Sequence, residues 1–319
     1  MGPHVRARSH IASPGRFAAG GWCDRAGALA ATFSIALWVQ AVLLGEGTQI
    51  SGNTEREGPH NEIKAGVGTA ETLVAAYVGW PYTHASDLRF AKPGATDLTV
   101  HDVQWEGRPF KSPIYYGLRA VRWGASAPFG AMLDFTHSKA IAVREQQVQL
   151  SGERNGRQET GSAKLADRFR HLEFSHGHNM LTLNALWRPW PAWGLVVPYG
   201  GAGGGVNLPH TEVQFSDEPD RTYEYQYTGP VGQVLAGIEI RLPHASLFVE
   251  YKFTLARYVA PLTGRDSRLS YGPDDFWVQL AAWWRGEQPK YGTVTTTLAS
   301  HQLIGGLGYR KSALPGSGG

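Results

Sequence analysis

NMLTLNALWRPWPAWGLVVPYGGAGGGVNLP, residues Asn179–Pro209, reads as a single β-hairpin. On its first arm Leu181, Leu183, Ala185 and Trp187 fall on one face, and Thr182, Asn184 and Arg188 on the other. Period-two alternation of this length is a strand signal. The turn, WRPWPAWG, carries three tryptophans and two prolines, and the second arm runs from Leu195 through Tyr199 into a glycine run. Trp187, Trp190 and Trp193 around a tight turn are unusual for a soluble sheet. They suit a membrane barrel, whose amphipathic rings settle at the bilayer–water boundary.

The same signal recurs along the chain. Strands are expected at Glu71–Tyr82, Ile114–Trp123, Phe129–Ser138, Pro230–Leu242, Ser246–Tyr258 and Thr293–Tyr309, which with the hairpin makes eight. Ser246–Tyr258 is the cleanest, with Leu247, Val249, Tyr251, Phe253 and Leu255 opposing Glu250, Lys252 and Thr254. Short connections (Gly124–Pro128, the tryptophan turn, Pro243–Ala245) alternate with long ones at about 83–113, 139–178, 209–229 and 259–292. Strands of roughly ten residues fit a tilted membrane crossing. The expectation is an all-β fold, an eight-stranded antiparallel up-and-down outer-membrane β-barrel over residues 70–310 with long extracellular loops. Its narrow interior would hold Arg119, Asp134, Glu239, Glu250 and Lys252 as an ion network, which argues against a small porin.

Outside the barrel the chain reads differently. Residues 1–44 form a basic leader ending in the apolar run Ala26–Leu44, which is either a signal segment cut after Val39-Gln40-Ala41 or a transmembrane helix. Residues 45–69 read as a flexible linker and 311–319 as a disordered tail. The segment DDFWVQLAAWWRGEQPKYG, before the last strand, reads as a helix on the membrane surface or as an extra strand pair. Cys23, the one cysteine, lies in the leader, so no disulfide framework is expected in the barrel. The formal charge of +3 and the absence of a basic, aromatic-interleaved stripe exclude a nucleic-acid partner. The glycine run Gly200–Gly205 lacks the Lys-Ser/Thr of a phosphate loop, so it is read as close strand packing.

With the N-terminus on the periplasmic side, the long loops share one rim. That rim collects His101, Asp102, Trp105, Glu106, Arg108, Asp134, His137, Lys139, Glu173, His176, His178, Asn179, His210, Glu224 and Tyr225. Histidine beside carboxylate suits proton transfer near neutral pH or a divalent metal. The neighbouring Arg108, Lys139, Arg168 and Arg170 suit a phosphorylated glycolipid. His176-Gly-His178 on an extended segment would put both rings on one face, where they could chelate.

Taken in order, VQWEGRPF (103–110), IYYGLRA (114–120), GAMLDFTHSKA (130–140), LEFSHGHNMLTLNALWR (172–188), VPYGGAGGGVNLPH (197–210), YEYQYTGP (223–230) and LFVEYKF (247–253) resemble the rhizobial-type lipid A oxidase family of outer-membrane barrels. The resemblance runs from about Leu73 to Thr263, and more faintly through Thr293–Tyr309. Matching positions include Trp105, Glu106, Gly107, Tyr116, Asp134, His137, Glu173, Asn179, His210, Tyr225, Glu250 and Lys252. The chain departs from the family at His176, where an acidic residue is usual, and at Arg108, where lysine is common. The resemblance implies oxygen-dependent oxidation of the proximal glucosamine of lipid A to 2-aminogluconate, with hydrogen peroxide as by-product and help from a divalent metal.

The expected assignment follows from these two readings together. Glu106, His137 and Glu173 are the candidate catalytic residues, with one of them removing a proton as the anomeric carbon is oxidised. Trp105, Arg108, Lys139 and Tyr225 are the candidate substrate contacts. His137, Glu173, His176, His178 and His210 are the candidate metal ligands, and molecular oxygen is the oxidant. The expected partner is lipid A or lipopolysaccharide, with the protein a monomer in the outer membrane of a Gram-negative bacterium. The alternative is a non-enzymatic structural or adhesive surface barrel.

Overall fold

The computed structural model describes residues 70–125, 128–189, 195–267 and 273–312. The leader and apolar run of 1–44, the linker 45–69, Trp190 and Trp193 of the turn, and 313–319 of the tail lie outside the described residues. The described chain is mostly antiparallel β. Its strands are β1 (Glu71–Thr83), β2 (Ser86–Lys92), β3 (Thr96–Val103), β4 (Trp105–Glu106), β5 (Tyr116–Trp123), β6 (Phe129–Ala142), β7 (Gln147–Arg154) and β8 (Arg157–Gln158). They continue with β9 (Gly161–Lys164), β10 (Phe169–Trp187), β11 (Val196–Asn207), β12 (His210–Phe215), β13 (Thr222–Tyr225), β14 (Gly229–Arg241), β15 (Ala245–Pro261) and β16 (Thr293–Ser312).

Eight strands form a ring in the order β1-β5-β6-β10-β11-β14-β15-β16. The ring closes where β16 returns to β1, in register from Glu71↔Ser312 to Thr83↔Ser300. Closure leaves these strands without a free edge. They are the eight strands read from the sequence, with shifts at the ends: β5 starts at Tyr116 rather than Ile114, β16 reaches Ser312, and β10 starts at Phe169, ten residues before Asn179. The short connections share one end of the ring, here called the base.

Alternation decides what faces inward, and the ring is apolar outside and polar within. On β15, Leu247, Val249, Tyr251 and Leu255 are exposed, while Glu250, Lys252 and Thr254 are buried. The interior is filled. Arg119 donates to both oxygens of Glu250 at 2.8 and 2.9 Å, and Lys252 Nζ donates to Asp134 at 2.6 Å. The Tyr77 hydroxyl joins them, at 3.0 Å from Asp134 and 2.7 Å from the Thr136 hydroxyl. Buried charges need such partners. Below this layer, towards the base, sits an apolar plug including Leu73, Trp123, Met132, Leu186 and Phe248.

The long connections differ from the loops expected of them. They build a second β layer above the ring. β2 pairs with the top of β16 and with β3, β3 pairs with β7, and β7 pairs with β8 and β9. β4 joins β6, and β12 joins β10 and β13. The cause is a further set of period-two pairs, Leu88/Phe90, Leu98/Val100, Val148/Leu150 and Val213/Phe215, which bury against Phe169, Phe174 and Tyr258 in a second core. Of the two readings for the segment before β16, the helix holds, over Pro273–Trp284. Its Gln279 side chain pairs with both the N–H and the C=O of Tyr227, at 2.8 and 2.9 Å.

Candidate functional site

Register carries one polar face across five strands. In an antiparallel pair, residues directly opposite one another share a face. Glu106 of β4 and Glu173 of β10 both stand opposite Ile141 of β6. Glu173 in turn stands opposite Glu212 of β12, which stands opposite Tyr223 of β13. On β6 the same face carries Leu133, Phe135, His137, Lys139 and Ile141 in ascending order. Leu133 is exposed on the outer wall of the ring, so the polar face continues that outer wall upward. The inner face of the same strands carries Trp105, Ala140, Phe174, Val213 and Phe215, all in the upper core.

Three side chains on this face come close enough to share one ion. One ligand atom from each of His171, Glu173 and Glu212 lies within 4.8 Å of the others. His171 Nδ1 is 2.8 Å from Glu212 Oε1 and 3.4 Å from Glu173 Oε1. Arg221 donates to Glu212 at 2.8 Å, and His176 Nδ1 lies 3.8 Å from the other oxygen of Glu212. The hydrogen bonds that His171 donates to Glu173 and Glu212 favour its imidazolium, raising its pKa to about 9. Burial pushes Glu173 upward, but His171 and the Ser175 hydroxyl outweigh it, and the carboxyl ends below its ordinary value. The cluster thus sets the carboxyl groups of Glu173 and Glu212 against the imidazole of His171 and the guanidinium of Arg221.

The histidines expected together separate into three places. His176 is 5.2 Å from His210, ring centre to ring centre, and its Nε2 is 3.3 Å from the Tyr223 hydroxyl. His210 packs edge-on against Tyr223 and Tyr225 at 4.2 and 4.7 Å. Burial, then the charges of His176 and Arg221, pull the pKa of His210 down to about 4. His137 stacks on Tyr116 at 4.8 Å and bonds Asn179 at 2.8 Å through Nδ1. His178 does not join this group. A bulge lies between Phe174 and His178, Gly177 takes φ +145°, and His178 turns inward to the Tyr258 hydroxyl in the upper core. The expected same-face His176/His178 chelate is thus not formed.

The remaining expected residues fall as follows. Trp105 is buried, stacked on Phe174 at 6.2 Å with its indole N–H on Ser86, so it packs the core. Glu106 pairs with Arg108 at 2.6 Å, both half-exposed. Lys139 is buried and donates to the Lys111 carbonyl at 2.6 Å. Burial lowers its pKa first, and Arg108 and Lys111 lower it further, so three cations gather here. Tyr225 lies beside His210, with its hydroxyl 3.4 Å from the His176 carbonyl. Asp134 belongs to the ring interior, and His101 sits on β3, bonded to Ser151 at 2.7 Å and Asp87 at 3.2 Å.

His171 and Glu212 were not among the residues singled out from the sequence. One local signal was available: His171-Leu172-Glu173 places a histidine and a carboxylate on one strand face. Glu212 enters only through the β10–β12 register. One imidazole nitrogen and two carboxylate oxygens at these separations fit a divalent cation. Buried His137 Nε2 and His210 Nδ1 also have no hydrogen-bond partner among the described residues. Comparison with protein-family models and with curated proteins finds no match.

Proposed function

We propose that the chain is an outer-membrane β-barrel enzyme that oxidises the proximal glucosamine of lipid A to 2-aminogluconate. The observation that carries this reading is the outward aim of the His171–Glu173–Glu212 cluster, on the same wall as the apolar band and above it. The first polar residue over Phe135 is His137, and Ile141, which is level with Glu173, is four residues higher, about 13 Å at ~3.3 Å per residue. That height suits the headgroup layer of a lipid whose chains lie against the band. Arg108, Lys111 and Lys139, gathered beside the cluster, suit its phosphates.

The chemistry balances with molecular oxygen as oxidant. The anomeric carbon, carrying a free hydroxyl, loses two electrons and two protons and becomes a lactone, while oxygen becomes hydrogen peroxide. Water then opens the lactone to the acid, a net gain of one oxygen atom. Glu173, ionised and on the exposed face, accepts the hydroxyl proton, and His171, bonded to both Glu173 and Glu212, holds its carboxylate in place. A divalent ion held by His171, Glu173 and Glu212 would supply Lewis acidity at this point.

The test is the lipid A mass spectrum of a Gram-negative host that lacks the activity and whose lipid A carries a free anomeric hydroxyl. Expression of the chain should add one oxygen to lipid A, and Glu173→Gln should abolish the gain. An unchanged spectrum with folded protein in the outer membrane would refute the reading. It would favour the alternative of a structural barrel, for which the closed ion balance of the cluster with Arg221 speaks.

A further inference from the structure

On the far side of the ring, where the first and last strands meet, two histidines face each other. His84 directly follows β1, and His301 lies on β16 opposite Tyr82. Their Nε2 atoms are 2.8 Å apart. Nδ1 of His301 is 2.5 Å from the Tyr251 hydroxyl on β15. Tyr82 and Phe253 flank the pair at ring distances near 5 Å: 5.1 Å from Tyr82 to His84, and 5.1 Å from Phe253 to His301. None of these residues belongs to the cluster around Glu173.

We infer that His84 and His301 form a binding site for a borderline divalent transition metal, Cu2+ above all, which clasps the closing seam of the ring. Two ligands on one ion at ~2.0 Å, in adjacent positions of a tetragonal shell, stand about 2.9 Å apart. The two Nε2 atoms are already at that spacing, and the one proton between them moves to the Nδ1 of the ring that carries it when the ion enters, so both ligands stay neutral imidazoles. With Nε2 of His301 on the metal, its Nδ1–H donates to the Tyr251 oxygen. This is the outer contact that fixes the ring of a ligating histidine. His84 is exposed and lies past the end of its strand, which leaves the remaining positions of the ion open to water. The all-nitrogen donor pair selects Cu2+ over Zn2+ and Ni2+, and takes neither Mg2+ nor Ca2+. The inference does not depend on the lipid A reading.

The experiment is calorimetric titration of the folded full chain in detergent micelles with Cu2+, alongside its thermal unfolding. The wild type should bind one equivalent more than His84→Ala and His301→Ala. It should also gain more melting temperature with Cu2+ than the variants do, because the seam ion binds only the closed seam. Tyr251→Phe should weaken binding at this site roughly tenfold. Glu173→Gln, which disables the proposed catalytic cluster, should keep the seam site intact. Since His84 lies outside the strand, its variant folds and remains a valid comparison. Equal Cu2+ stoichiometry and affinity in the wild type and His84→Ala would overturn the inference.

Discussion

Glu173 and Glu212 stand directly opposite one another on β10 and β12, two carboxylates in one register pair. Like charges so placed repel, and His171 lies between them, bonded to both. The stability of this part of the fold should therefore follow the protonation of His171. Its folded pKa, about 9, lies above the unfolded value of about 6.5. The contribution is thus complete below pH 6.5 and disappears as pH rises through 9. His171→Ala should lower stability by only on the order of 1 kcal/mol, because the group is partly exposed. It should also flatten the decline on the alkaline side. Chemical denaturation at pH 6 and pH 10 measures both effects, and an identical pH profile in the variant would rule out the bridge.

The interior network makes a larger claim. Arg119 is fully buried and shared between Glu250 and Asp134. Removing one member of a buried pair leaves its partner charged and alone, at about 3–5 kcal/mol. Arg119→Ala should therefore cost that much, while Arg108→Ala, at a half-exposed pair, should cost under about 1 kcal/mol. Unfolding of both variants in the same detergent by denaturant titration makes the comparison.

The ring was legible from the sequence because period two is a local signal. Leu247 to Leu255 against Glu250 and Lys252 shows its faces within one strand, and the eight strands appear where the alternation places them. The upper layer was less legible for a related reason. Leu88/Phe90 and Leu98/Val100 alternate just as clearly, but their segments fall between barrel strands, where the up-and-down pattern expects loops. What stayed hidden in the site was non-local. Glu212 meets Glu173 through strand pairing across a separation of thirty-nine residues. The inward turn of His178 depends on a bulge at Gly177 that no alternation pattern announces.

The glycine run of β11 should tolerate substitution at some positions and not at others. A Cβ on Gly205 would lie 1.8 Å from the Leu181 carbonyl oxygen on β10, whereas a Cβ on Gly200 would meet nothing nearer than the Leu235 carbonyl oxygen at 3.4 Å. Gly205→Ala should thus force β10 and β11 apart and lower the yield of folded ring on dilution from urea. Gly200→Ala should fold as the wild type does. If the glycines served a phosphate loop instead, the two variants would fold alike and differ in anion binding.

The outer band gives the most direct test of membrane placement. Val249 lies within the outer apolar band on β15, between Leu247 and Tyr251, and is 60% exposed, and Trp187, at the base end of β10, is 51% exposed. In a bilayer, arginine at the midplane of a barrel wall costs ~2–4 kcal/mol, and near the interface ~0–1 kcal/mol. Val249→Arg should therefore destabilise the protein in lipid vesicles by a few kcal/mol, and Trp187→Arg by much less. In water a charge on an exposed position carries no such gradient and would if anything improve solubility. Reversible folding into vesicles, followed by tryptophan fluorescence for the wild type and both variants, reads the difference. Equal costs at the two depths would remove the bilayer from the account, and with it the headgroup-level position of His171, Glu173 and Glu212 on which the lipid A reading depends.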